Sequence, residues 1–142
     1  MKIARTVLTL AVSLCVHNVL ATGEDTRQLV DLPAKMQQHM LANMRDHLAT
    51  INEILLLMAS DELDQAADIA EARLGMSSLE THGASQMAPF MPEGMRDAGT
   101  GMHHAASRFA LKAEEGDAPA AYTSLTEVTS ACVACHSAYR IH

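Results

Sequence analysis

APAAYTSLTEVTSACVACHSAYR, residues 118–140, decides how the rest of the chain is read. Gly116-Asp117-Ala118-Pro119 at its head is a stop-and-restart signal of the kind that separates two helices. Beyond it Tyr122, Leu125, Thr129, Cys132, His136 and Tyr139 recur three and four residues apart, the repeat that puts side chains on one face of a helix. Working back towards the N-terminus, three more blocks carry that period. Residues from about Met95 to Glu115 place Met95, Ala98, Met102, Ala105 and Phe109 on one face, with Gly99 and Gly101 weakening the first turns so that the start can lie nearer Thr100. Leu63, Ala67, Ala70 and Leu74 form a shorter stripe with Gly75 as its candidate stop and Ser60-Asp61-Glu62 as its start signal. The first block begins near Pro33 after Asp31 as a cap, and its expected inward stripe is Leu41, Met44, Leu48, Ile51, Leu55 and Met58. Residues 75–94 hold three glycines, Pro89 and Pro92, and read as a long connection with a turn of helix around Ser78.

Strand signals are scarce, and four apolar-periodic blocks with mostly short connections predict an all-α chain folded as an antiparallel four-helix bundle. The expected core is rich in Met, Leu and Ala. Without Met1 the chain keeps nine of its 10 methionines, beside two Tyr, two Phe and no Trp. Methionine fills irregular space but specifies a packing poorly, so a bundle lined this way would benefit from a large rigid apolar object at its centre.

The chain has 142 residues, enough for one modest domain. Residues 1–21 read as a removable export segment: Lys2 and Arg5 start it, Thr6 to Val16 form an apolar run too short to span a bilayer, and Val19-Leu20-Ala21 precedes a cut ahead of Thr22. The expected product is a single exported domain over 22–142 in the periplasm, with no membrane anchor. Leu14 ahead of Cys15 argues against a lipid anchor. Losing Lys2 and Arg5 leaves eight basic residues against 17 acidic ones, so the formal charge moves from −7 to −9. A chain this acidic repels nucleic acid, and an electrostatically steered partner would be basic.

Only Cys132 and Cys135 remain after the leader. A disulfide closing so small a loop would constrain little of the unfolded chain. Cys132-Val133-Ala134-Cys135-His136 is instead the attachment pattern of a c-type haem. On a helix the three functional side chains share a face, where two thiols each form a thioether with a haem vinyl group and the histidine offers a ring nitrogen to the iron. A thioredoxin-like pair wants a βαβ setting that is not visible, and a zinc site wants four ligands with a second cluster that is also not visible. No acid–base pair or nucleophile argues for an enzyme.

These residues carry a family resemblance. Val128 to Arg140, with an arginine four residues after the histidine, resembles the C-terminal helix of class II c-type cytochromes, the cytochrome c′ group. Glu115-Gly116-Asp117 resembles their last inter-helix turn. The likeness extends to architecture over 33–142 and to detail over the last 30 or so residues, while the connection over 75–100 departs from the family. The resemblance implies one covalently bound haem and its iron, held by Cys132, Cys135 and His136, with Arg140 near the proximal face or a propionate. It also implies that a first-helix residue faces the iron from the other side. Met44 is the first choice and Met40 the second, with His47, His39, His103 and His104 as competitors; adjacent His103 and His104 cannot both face inward. Methionine ligation makes the protein an electron carrier between redox partner proteins. Were Leu41 to sit over the iron, the site would be open and would bind nitric oxide or carbon monoxide. Dimerisation through the outer faces of the first two helices is common in the family, so the resemblance admits a homodimer, which the sequence itself neither supports nor excludes.

Overall fold

The computed structural model describes residues 24–142, so the expected export segment lies outside the described residues. The chain is mostly helical. Helix α1 (Ala34–Ala59) leads through a tight corner at Asp61, φ 62°, into α2 (Leu63–Arg73). The connection that follows is itself structured: a 3-10 turn at Met76–Ser78, a single turn of helix α3 (Ala84–Met87) and a second 3-10 turn at Ala88–Phe90. Helices α4 (Glu93–Glu114) and α5 (Ala118–Ala138) complete the set. Gly116, at φ +76°, makes the corner between them, a conformation that costs glycine nothing. Asp117 caps α5 by accepting a hydrogen bond from the Ala120 amide at 3.1 Å, and Pro119 sits in the first turn, where its missing N–H is no loss.

Sequence signals placed some helix ends imperfectly. Pro33, not Asp31, caps α1, without a side-chain hydrogen bond. The second helix ends on Leu74 rather than on a left-handed Gly75. The third long helix starts at Glu93, two residues before Met95, and runs through Gly99 and Gly101 without a break.

α1 packs on α2, α2 on α4, and α4 on α5. Their common core is built from alanines and a few larger side chains: Ala66, Ala67, Ala70, Ala105, Ala106, Ala113 and Ala121 around Ile54, Leu74, Phe109, Leu125 and Val128. Small residues let the helix axes approach closely, and Phe109, fully buried, is the largest side chain filling the remaining space. On the stripe expected for α5 only Leu125 is buried, Tyr122, Thr129 and His136 being exposed. The stripes expected for α2 and α4 hold except at half-buried Ala98: Leu63, Ala67, Ala70, Leu74, Met95, Met102, Ala105 and Phe109 are buried.

The stripe expected for α1 does not. Its buried residues are His47, Thr50, Ile54 and Met58, while Leu48 is 73% exposed and Leu55 42%. Counting apolar residues favours the leucine face. The chain buries the adjoining face instead because its polar members are accommodated there, Thr50 by donating its hydroxyl hydrogen to the Asp46 carbonyl at 2.8 Å. Leu48 and Leu55, one heptad apart, are left on the outside beside half-buried Ile51.

A small feature that periodicity could not signal closes the far end. Gln28–Leu29 (β1) pairs in parallel with Tyr139–Arg140 (β2), the two residues that follow α5. The Val30 amide donates to the Arg140 carbonyl at 2.8 Å, and the Gln37 side chain donates to the Ile141 carbonyl at 2.5 Å. Val30 and Leu32 are thereby buried with Met87 and Met95 in a second apolar cluster, against which Met36, Met40, Met91, Cys135 and Tyr139 pack.

Candidate functional site

Between the two clusters lies a cavity of about 610 Å3, within the size range of small-molecule and cofactor sites. Its walls are mostly apolar. Met40, Leu41 and Met44 contribute from α1, Met87 and Met91 from the connection, and Met95 and Met102 from α4. Six of the methionines therefore gather here, and of these only Met102 also belongs to the alanine core. Gly99 also lines it, with no atom within 4 Å of where a Cβ would stand, so the chain leaves this side of α4 open to a bulky occupant.

The end of α5 forms another wall. Cys135, His136, Tyr139 and Arg140 all line the cavity. The structure thus brings together four of the residues singled out from sequence: Cys135, His136 and Arg140 on one side and Met44 on the other. Met40 and Leu41, the alternatives to Met44, line it too. Cys132 does not; one turn earlier, half-buried, it packs against the main core. Both cysteines are free thiols, and burial raises both above the usual thiol range, Cys135 further so through its neighbour Cys132. Thiols held protonated at neutral pH are poor metal ligands and slow nucleophiles, unlike the depressed thiols of redox-active pairs.

Three arginines stand at the cavity. Arg27 is held by Asp25 at 2.7 Å, and its hydrogen bond draws the Asp25 carboxyl down to about 2. Arg140 approaches the same Asp25 carboxylate at 3.5 Å and donates to the His142 carbonyl, but its buried Nε has no hydrogen-bond partner among the described residues. Arg96 is bonded only to backbone carbonyls, those of Met91 at 3.0 Å and Ala88 at 3.4 Å. Together they provide cationic donors for the acidic groups of an otherwise apolar ligand.

The inner wall carries three buried imidazoles, His47 of α1, His82 of the connection and His103 of α4. Their ring centroids are 4.7, 5.4 and 6.0 Å apart. Burial lowers the basicity of all three, and for His47, also facing the other two rings, the value falls to about 4. His104, next in sequence to His103, is exposed, as adjacent helical positions require. His39 stays at the edge and, with Asn43, bonds the His82 carbonyl at 2.9 and 3.0 Å, tying the connection to α1. Sequence reasoning named His47 and His103 only as competitors of Met44. It missed His82, inside a connection, and Arg27, before the first helix, where no spacing marks a residue, and Arg96, which lies off the apolar stripe of α4.

Among the described residues no helix is long and apolar enough to cross a membrane, and no group of three or more His, Cys, Asp or Glu side chains is placed to hold a metal ion. No family model, curated protein or solved structure matches this chain.

Proposed function

We propose that this chain is an exported, periplasmic c-type cytochrome with one covalent haem, an electron carrier rather than an enzyme. One observation carries the reading: Cys135 and His136 of the attachment pattern stand on the wall of a large, methionine-lined cavity that also receives Met44 from α1. The residues present suit such a group. The apolar walls match a porphyrin's faces, Gly99 leaves space, and Arg96 and Arg140 offer cationic donors for its carboxylates. Cys132 and Cys135 would hold it by thioethers, while His136 and Met44 would meet the iron from α5 and α1. A bound haem supplies a reversible one-electron couple, and the protein tunes it by burial and by its axial residues. Apolar walls exclude water from the site, and a methionine sulfur raises the potential while leaving no vacant position.

In this reading α1, α2, α4 and α5 form an antiparallel four-helix bundle of the cytochrome c′ kind. Short corners at 60–62 and 115–117 and the packing of each long helix on the next support it. The exposed Leu48 and Leu55 with Ile51 give the homodimer a surface on α1. The acidic exterior favours a basic redox partner.

The test is an optical spectrum of protein exported with haem-attachment machinery. A six-coordinate low-spin spectrum with an iron–sulfur charge-transfer band that vanishes in Met44→Ala is expected. A high-spin spectrum with rapid carbon monoxide binding would replace the electron carrier with a gas-binding protein, and a colourless product would end the haem reading altogether.

A further inference from the structure

His47, His82 and His103 present bare nitrogen lone pairs that nothing in the haem reading uses. Ser78 donates its one hydroxyl hydrogen to the Gly75 carbonyl at 2.7 Å, so towards His82 Nδ1 at 3.2 Å it can only accept. His82 therefore carries its hydrogen on Nδ1. His103 Nδ1 lies 2.7 Å from the Leu74 carbonyl, which can only accept, so it too carries the hydrogen there. These assignments follow from the hydrogen-bond network and leave Nε2 of both neutral rings as an unprotonated acceptor. Neither Nε2 has a donor among the described residues, and Nε2 of His47, a residue 9% exposed, is buried with no partner at all. A buried polar nitrogen without a partner, here His47 Nε2, is costly, and with two further unprotonated Nε2 acceptors on the neighbouring rings and no carboxylate bonded to any of them, the cluster is suited to a cation.

We propose that these three histidines form a metal-ion site on the inner wall of the cavity, for a divalent ion of the zinc or copper class. The spacing suits it. Ring nitrogens about 2.1 Å from such an ion place ring centroids about 3.2 Å from it, so tetrahedral ligands have centroids about 5.2 Å apart. The three observed separations, 4.7, 5.4 and 6.0 Å, bracket that distance. As they stand the three rings are not placed to hold an ion, so binding requires them to rotate, above all His47, whose Nε2 is unbonded. The outer contacts are those that hold metal-binding imidazoles: Nδ1–H donated to a backbone carbonyl by His103 and to a hydroxyl by His82. Three nitrogens facing a cavity leave the fourth position of the ion to water, the arrangement of an open rather than a purely structural site.

The proposal does not rest on haem attachment, and its test separates the two. The untagged full-length export product and its Cys132→Ala/Cys135→Ala variant are stripped with chelator and titrated calorimetrically with Zn(II). Both are expected to bind one ion per chain. His82→Gln and His103→Gln should each weaken binding by at least about tenfold, Ser78→Ala by about tenfold, and exposed His104→Gln not at all. Zinc-edge X-ray absorption of the loaded wild type should count three imidazoles, and this measurement decides if the variants do not fold. Absence of one-to-one binding, binding that survives loss of both His82 and His103, or fewer than two imidazoles at the zinc would overturn the site. A colourless protein that binds zinc would sink the haem alone; a coloured one that does not would sink the metal site alone.

Discussion

Acid should unfold this protein earlier than its carboxylates require, and His47 should be the main reason. In the folded chain burial and the rings of His82 and His103 hold His47 down to about 4, against 6.5 for the free side chain. Above pH 6.5 both folded and unfolded chains carry it neutral, so it contributes no pH dependence there. As pH falls below 6.5 the unfolded chain takes up a proton that the folded chain refuses, and stability declines until pH 4, where both are charged. The gap of about 2.5 units corresponds to roughly 3 kcal/mol in total, of which about 2 kcal/mol is gone by pH 5. His82 and His103, lowered in the same direction by burial, add to the slope. Urea unfolding followed by far-ultraviolet circular dichroism, at pH 7.5, 6, 5 and 4.5 with chelator present, measures it. The difference between wild type and His47→Gln should shrink by about 2 kcal/mol between pH 7.5 and 5. Parallel stability curves for the two proteins over that interval would refute the reasoning.

Three further outcomes follow from packing. Phe109→Ala removes the largest fully buried side chain from the alanine core and should cost about 3–5 kcal/mol in denaturant unfolding. Gly83→Ala places a Cβ at φ +64°, 2.8 Å from Gln86 Oε1 and 3.1 Å from His39 Nε2. A loss of about 1–2 kcal/mol is expected, with faster hydrogen exchange in the connection that His39 ties to α1. Replacing exposed Leu48 and Leu55 by lysine should leave the helical signal intact and shift sedimentation from dimer to monomer; an unchanged sedimentation profile would remove α1 as the interface.

Much of this was legible in the chain, and for identifiable reasons. The corner at Gly116-Asp117 and most of the apolar period of α2 and α4 are local properties, decided within a few residues, and they stand in the structure as written in the sequence. The grouping of Cys132, Cys135 and His136 within one turn is equally local, because all three lie on one helix. What those residues face is not local. Which side of α1 is buried depends on where α2 and α4 sit, and the polar pair His47 and Thr50 won the inside from Leu48 and Leu55. Tertiary packing alone collected six methionines around one cavity, left Cys132 behind its wall and folded residues 28–30 across the end of α5. It also brought His82, from a connection with no periodic signal, against two histidines 35 and 21 residues away in the chain. Sequence spacing determines neighbours along a helix; neighbours between helices are set by the packing of the whole chain, and the two sites proposed for this protein divide along that line.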